Sequence, residues 1–345
     1  MKETVVPVRK RIEWVDIVKF ICITLVMIQH LESVNPLFRT FYLPFLLNPF
    51  FFVAGYVYKD NLPFPALMAK KARTLMIPWF FLGLFNIILS HIITFNTHDS
   101  LKNELLWSLI QVRGHADQLW FIACMFIIFI PFYFIVKMKR RNAFILVAVM
   151  TLLTEIYRAY MPADVFPWGD NQLPWHLQLL FPYMVFMLSG YYFKDIEKAF
   201  FEKTKDIKML VLVWGVYLVL TYFNYTFHDS YPFLISVFMN YLLRFLGVAG
   251  VIMIAKKMKM NRYIAFVGAN TLIYFALHGK VECIVQKLLS YASLHGEQIS
   301  QILPLSVVYS FVVAEIVSVI LIIPTVIIKR YFPFVMGKWY KKNEI

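Results

Sequence analysis

The sequence RIEWVDIVKFICITLVMIQH, residues 11–30, opens the first long apolar segment of the chain. An α-helix needs about 20 predominantly apolar residues to cross a bilayer, and this segment has that length. Basic residues precede it, as they precede the apolar part of a signal peptide. No small-residue cleavage site follows it, however, so we expect it to remain in the protein as a first transmembrane helix.

Similar apolar segments recur along all 345 residues, of which 60% are hydrophobic. A soluble domain cannot bury that much apolar surface. The sequence therefore predicts an all-α, polytopic membrane protein of about ten transmembrane helices, with one membrane domain over residues 1–345 and no soluble domain. The predicted spans are 14–33, 40–58, 75–95, 118–136, 143–158, 175–193, 209–224, 232–255, 264–289 and 302–328.

The positions of Lys and Arg predict how these spans are oriented. If the N-terminus is cytoplasmic, 26 of the 34 Lys and Arg residues fall in cytoplasmic segments and only four fall in the opposite loops. The positive-inside rule favours this orientation, with both termini in the cytoplasm. We attribute the net charge of +14 to topology and anionic lipid, and we expect no nucleic-acid partner. The six cytoplasmic segments are 1–13, 59–74, 137–142, 194–208, 256–263 and 329–345.

The first predicted span carries three ionisable residues, Asp16, Lys19 and His30. At about 100° per residue they share one helix face, with Lys19 and His30 about 16 Å apart along the axis. Ionisable groups in lipid are costly, so each is a candidate for function. Asp16 and Lys19 can equally form a local ion pair at the helix end. A histidine deeper in the span favours proton transfer or ligand binding.

Three later spans also carry ionisable residues. His278 and Glu282 are four residues apart and share a face of the ninth predicted span. Arg244 and Glu315, in the eighth and tenth, can either pair with each other or contact substrate. The three cysteines lie in separate apolar segments without metal-ligand spacing, so the sequence predicts no metal site.

A basic pair, Lys70 and Arg73, precedes the third predicted span. Three residues apart on a helix, the two cations share a face and can hold phosphate groups. They can equally be charges that only orient the span.

Taken together, these motifs resemble the acyltransferase-3 membrane family. Residues 11–30 are similar to its R-x4-D-x2-R/K element and its R/K-x10-H spacing. The form with Lys19 resembles the branch that contains fucose 4-O-acetylase-like proteins. Four more segments agree in order: FFFVAGY at 50–56, KKAR at 70–73 with Pro78-Trp79 after it, LWF at 119–121, and LIYFALH at 272–278.

The resemblance implies a membrane O-acyltransferase that moves an acetyl group from cytoplasmic acetyl-CoA, a co-substrate, to a hydroxyl of a cell-envelope glycan or lipid-linked sugar. It implies a multi-pass protein of the bacterial plasma membrane, in contact with membrane lipid and with proteins of polysaccharide synthesis or export. No metal or prosthetic group is implied. The donor-binding residues would be Asp16, Lys19, Lys70 and Arg73, and the catalytic residues would be His30, Glu32 and His278.

Within this resemblance, His30 would act as general base or as a transient acyl carrier. Glu32 would position the acceptor, and His278 would stabilise the tetrahedral oxyanion. One alternative is a non-catalytic polysaccharide exporter or flippase of the same family, with Arg244, Glu282 and Glu315 along a polar conduit. Another is a haem protein that uses His30 and His278 as its two ligands.

Overall fold

The computed structural model describes residues 11–93, 100–112, 119–162, 164–168 and 171–338. In these ranges all regular structure is helical, so the predicted all-α class is confirmed. The α-helices are α1 Glu13–Gln29, α2 Pro36–Tyr42, α3 Asn48–Tyr56, α4 Phe64–Lys71, α5 Ile77–Ile93, α6 Leu101–Ile110, α7 Trp120–Ile135, α8 Arg140–Tyr160, α9 Leu180–Phe193, α10 Glu197–Lys203, α11 Ile207–Phe227, α12 Phe233–Lys257, α13 Arg262–Ala269, α14 Thr271–Tyr291, α15 Gly296–Ser300, α16 Leu303–Ile320 and α17 Ile322–Tyr331. Short 3₁₀ helices cover Leu43–Phe45, Pro174–Leu179, His228–Ser230 and Pro333–Met336, and a π-helix covers Ala72–Met76.

Several of these helices are long and apolar enough to cross a membrane. Within the described ranges six qualify, and the bent pair α13–α14 makes a seventh. The other predicted spans fall on the shorter helices α1, α7 and α9, so the count of ten and the cytoplasmic placement of the termini remain predictions. The six are Pro36–Tyr56, Phe64–Ser90, Arg140–Tyr160, Ile207–Ser230, Phe233–Lys257 and Leu303–Tyr331.

Helix α1 forms the centre of the molecule. It contacts α3, α12, α13, α14 and α16, and it is buried along most of its length. A helix surrounded by other helices is apolar on all sides, which explains the nearly continuous run of Ile, Leu, Val and Met between residues 21 and 28. Asp16 is consequently buried and Lys19 partly buried, whereas Glu13, at the start of α1, is exposed.

The bend between α13 and α14 is the main departure from the predicted spans. The sequence predicts one continuous helix over 264–289, but the chain turns by 89° at Asn270. The Asn270 side-chain amide donates to the Phe266 carbonyl at 2.6 Å, a local bond that competes with helix continuation. In α13, Gly268 lies directly against the Asp16 carbonyl of α1, where a larger residue would collide. Both α13 and α14 contact α1, on either side of this bend.

Helices α3 and α9 are packed through two glycines. A Cβ added to Gly55 would overlap the Met187 carbonyl, and one added to Gly190 would overlap the Phe52 carbonyl. The overlaps are reciprocal, so each backbone occupies the space that a side chain would need on the other helix. Close backbone approach at small residues is the usual way in which helices associate in membranes.

We predict that Gly55→Ala destabilises the protein. The added methyl group must displace the α9 backbone, and overpacking of this kind typically costs about 1–3 kcal/mol. The melting temperature of purified protein in detergent would show the loss. Gly215→Ala is the matched control, because Gly215 has open space around its Cα. Equal melting temperatures for the two variants would contradict the close α3–α9 contact.

Candidate functional site

Two cavities flank α1 and α14, and they meet at the side chain of Phe275. The first, which we name the Lys19 cavity, has a volume of about 740 Å³. The second, the His30 cavity, has a volume of about 1060 Å³. The ionisable lining residues of the Lys19 cavity include Arg11, Asp16, Lys19, Lys59 and Lys194, and those of the His30 cavity include His30, Glu32, Arg158, His228, Arg244, His278, Glu282 and Lys287.

Asp16 joins two cations at the wall of the Lys19 cavity. Its carboxylate lies 2.6 Å from Nζ of Lys19 and 3.1 Å from Nε of Arg11, and the residue is only 6% exposed. The predicted local ion pair of Asp16 and Lys19 is therefore present, with Arg11 as an additional member. One buried carboxylate against two cations leaves this wall with an excess of positive charge, as an anionic ligand requires.

Lys194 and Lys59 belong to the same cavity but were not among the predicted site residues. Nζ of Lys194 donates to the Tyr58 carbonyl at 2.6 Å. Burial lowers the pKa of Lys194, and the carboxylates of Asp60 and Asp195 oppose that change. In the sequence both lysines stand at the ends of predicted spans, where they look identical to charges that only set topology. Only the fold shows that they face a cavity.

The predicted pair of Lys70 and Arg73 is exposed and does not line the Lys19 cavity. A π-helix begins at Ala72, between the two residues, so the α-helical spacing assumed for them does not hold. The intervening Lys71 points inward instead, with Nζ 3.5 Å from the centre of the Phe129 ring. A role for Lys70 and Arg73 in donor binding remains a prediction.

The structure brings the two predicted histidines together in the His30 cavity. Their ring centroids are 5.1 Å apart and the rings are tilted by 53°. His30 is the C-terminal cap residue of α1 and is exposed to the cavity, whereas His278 is buried in α14. Two imidazoles in contact leave no room for a porphyrin between them, so the geometry does not support the haem alternative.

Hydrogen bonds to the backbone assign the tautomer of a neutral His278. Its Nδ1 lies 2.8 Å from the Phe275 carbonyl and 3.2 Å from the Tyr274 carbonyl. Carbonyls only accept, so Nδ1 carries the proton and Nε2 carries a lone pair. Neutral His278 can therefore accept a hydrogen bond or a proton at Nε2. The oxyanion role implied by the family resemblance would require a protonated ring.

Two carboxylates accompany the histidines in this cavity. Glu282 lies one turn after His278, is 2% exposed, and has no hydrogen-bond partner for Oε1 among the described residues. Glu32 lies two residues beyond His30, where its backbone N–H donates to Oε1 of Gln286 at 2.8 Å. The His30 cavity thus contains two carboxylates that can accept a proton from a hydroxyl group. The hydrogen bond from Glu32 to Gln286 also ties the chain after α1 to α14.

The ion pair between Arg244 and Glu315 that the sequence allowed does not form. Glu315 accepts a hydrogen bond from the Tyr263 hydroxyl at 2.5 Å and lines neither cavity. Among the described residues, the carboxylate that approaches Arg244 belongs to Glu155, at 4.0 Å. Arg244 lines the His30 cavity, so only one member of the predicted pair faces the site.

Phe275 forms the shared wall of the two cavities. Its ring packs against Phe121, with centroids 5.3 Å apart, and against His278 at 5.9 Å. The residue is 8% exposed, so nearly all of its surface is covered by the protein. The polar face that the sequence predicts along α1 is therefore shared between two cavities: Lys19 lines one and His30 lines the other.

No group of three or more His, Cys, Asp or Glu residues with metal-binding geometry occurs among the described residues. The ionisable groups of the site are instead arranged as an ion-paired cluster around Asp16 and a histidine pair with adjacent carboxylates. The first suits an anionic ligand and the second suits proton transfer to and from a hydroxyl.

Comparison with known proteins agrees with this geometry. No curated protein and no solved structure matches the chain significantly. A protein-family model, acyltransferase 3, described as an acyltransferase domain, matches residues 12–323. The match runs from the residue before α1 into α17 and so includes the lining of both cavities except Arg11. The chain therefore belongs to the acyltransferase-3 family and is a membrane acyltransferase.

Proposed function

We propose that the protein is an O-acetyltransferase that takes an acetyl group from cytoplasmic acetyl-CoA and transfers it to a hydroxyl of a cell-envelope glycan. One observation carries the proposal: a cation-lined cavity and a histidine-lined cavity meet at Phe275. A donor whose phosphates lie in the first cavity and an acceptor in the second would bring the thioester and the hydroxyl together beside the Phe275 ring.

The donor side matches the charge distribution of coenzyme A, which carries several phosphates at one end and the thioester at the other. Arg11, Lys19, Lys59 and Lys194 supply positive charge in the Lys19 cavity. Helix α14 begins at the same wall, and the positive N-terminal end of its dipole favours negative charge. Lys70 and Arg73 lie outside the cavity lining and would contact the nucleotide end of the donor rather than its acyl end.

The acceptor side supplies the proton transfer. His30 caps the C-terminus of α1, where the helix dipole stabilises the imidazolium that forms when His30 takes a proton. As general base, His30 removes the hydroxyl proton while the hydroxyl oxygen attacks the thioester carbon. The carbon–sulfur bond then breaks, and His30 returns the proton to the coenzyme A thiolate. Glu32 would position the acceptor, and Nε2 of His278 would accept a hydrogen bond that orients its neighbours.

His30 can alternatively carry the acetyl group itself. In that case an imidazole nitrogen attacks the thioester, coenzyme A leaves with a proton, and the acceptor hydroxyl then displaces the imidazole. Both routes use the same cavity and the same residue. The exporter alternative lacks comparable support, because a polymer conduit needs a continuous polar passage and Phe275 separates the two cavities.

His30→Gln should reduce acetyl transfer by about 10²–10⁴-fold, the usual contribution of a general base. Binding of acetyl-CoA should be unchanged, because His30 lies in the other cavity. The measurement is radiolabelled acetyl transfer by membranes to envelope glycan, together with calorimetric donor binding. His228→Gln, in the same cavity, is the matched control and should retain transfer. Full transfer by the His30 variant would refute the assignment.

Variants of the proposed donor-binding residues should show which residue contacts which part of acetyl-CoA. Lys19→Gln should raise the KM for acetyl-CoA about tenfold or more, because a charge-assisted contact is lost.

Arg73→Gln should raise the KM for acetyl-CoA but not for S-acetylpantetheine, which lacks the nucleotide. Lys139→Gln, on another exposed loop, controls for loss of a cation. An equal KM for acetyl-CoA in the Arg73 variant and the wild type would remove Arg73 from the donor site.

Phe275→Ala should join the two cavities. Water from the acceptor side would then reach the thioester, so acetyl-CoA hydrolysis without acceptor should rise several-fold, and butyryl-CoA should become a better donor. The readout is thiol release from each donor. Phe80→Ala, at an exposed position on α5, should leave both rates unchanged. Unchanged hydrolysis by Phe275→Ala would show that Phe275 does not separate donor from acceptor.

A further inference from the structure

A second charged cluster lies in the His30 cavity, apart from the histidines. Arg158 of α8 and Arg244 of α12 both line the cavity. Each is associated with the same carboxylate, Glu155, whose side chain is only 14% exposed. The cluster therefore has two cations and one anion.

The hydrogen bonds of Glu155 leave Arg244 incompletely satisfied. Oε2 of Glu155 accepts from Arg158 at 3.0 Å, and Oε1 accepts from the Tyr241 hydroxyl at 2.9 Å. Arg244 stands 4.0 Å from Oε1, beyond hydrogen-bond distance, with its guanidinium 4.9 Å from the centre of the Tyr241 ring. Within the described part of the chain, no acceptor lies within hydrogen-bond distance of the Arg244 guanidinium.

This arrangement is unusual for a side chain on a membrane-spanning helix. Arg244 is near the middle of α12, and its side chain is only 24% exposed. A guanidinium has five N–H donors and keeps its charge in proteins, so placing it in a membrane domain without acceptors is costly. A ligand oxyanion in the cavity would supply acceptors and balance the excess positive charge. Arginine binds carboxylate and phosphate groups in the same forked geometry.

We propose that Arg158 and Arg244 form a binding site for an oxyanion group, a carboxylate or a phosphate, that is carried by the acceptor. The inference rests on the proposed function, since it assigns the His30 cavity to the acceptor. It narrows the acceptor class to an acidic glycan or a phosphate-bearing sugar. The oxyanion lies at the arginine cluster, and the hydroxyl to be acetylated lies at His30.

The test uses full-length protein in nanodiscs of phosphatidylcholine. Galactose, galacturonate and galactose 1-phosphate are compared as ligands by thermal shift and as inhibitors of acetyl transfer to envelope glycan. We expect the charged sugars to bind at least tenfold more tightly than galactose. Preference for galacturonate would identify a carboxylate and preference for galactose 1-phosphate a phosphate, and both outcomes support the site.

Arg244→Gln should abolish the preference for the charged sugars, and Arg244→Lys should restore part of it. Lys287→Gln removes a cation from the same cavity and should keep the preference. Donor binding and acetyl-CoA hydrolysis should be unchanged in all three variants, and melting temperatures identify any variant that is merely unstable. Equal or undetectable effects of charged and uncharged sugars, or a preference that survives Arg244→Gln, would overturn the proposal.

Two further outcomes are decisive. If phosphatidylglycerol in the nanodisc stabilises the wild type but not Arg244→Gln, and the sugars do not, the occupant is a membrane lipid and the acceptor site is overturned. If deletion of the gene removes ester acetyl groups from a glycan that contains neither acidic residues nor phosphate, the oxyanion site is also overturned. The O-acetyltransferase assignment would then stand, so the two proposals fail separately.

Discussion

The structure depends on one constraint: α1 carries Asp16 and Lys19 into the interior of a largely apolar membrane protein. A buried charge without a partner costs several kcal/mol, so each ionisable group must be paired or must face a cavity. Asp16 satisfies this requirement through Arg11 and Lys19. Lys19 and Arg11 in turn line a cavity where an anion can approach them.

The helices around α1 pack closely at glycines, and one pair of them is bent. Gly268 lets the backbone of α13 reach the Asp16 carbonyl, and Gly55 and Gly190 let α3 and α9 touch backbone to backbone. The first contact packs α13 tightly against the first turn of α1, and the other two pack α3 against α9. The bend at Asn270 has the opposite effect, because it leaves the start of α14 at the wall of the Lys19 cavity.

Much of this was predictable from the sequence. Apolar length predicted the helices, and helical spacing predicted that His278 and Glu282 would share a helix face; both line the His30 cavity. The motif resemblance predicted the family. The sequence did not reveal that Lys194 faces a cavity while Lys70 does not, because both are basic residues at span ends. It also missed the π-helix after Lys71, since neither composition nor periodicity marks where one extra residue enters a turn.

Two residues of α1 line different cavities, Lys19 the first and His30 the second. This arrangement suggests how an acyl group can cross a membrane. If the donor is acetyl-CoA, as proposed, movement of the whole molecule across the membrane would take its phosphates away from the cations of the Lys19 cavity, at large cost. With Phe275 between the two cavities, only the small uncharged acyl group needs to reach the His30 cavity. The phosphates of the proposed donor then stay beside the cations of the Lys19 cavity. The same reasoning applies to the acceptor, whose hydroxyl can reach His30 while an anionic group stays near Arg158 and Arg244. Under the proposed function neither substrate moves its charge across the apolar centre, and the two helices beside Phe275, α1 and α14, carry His30 and His278.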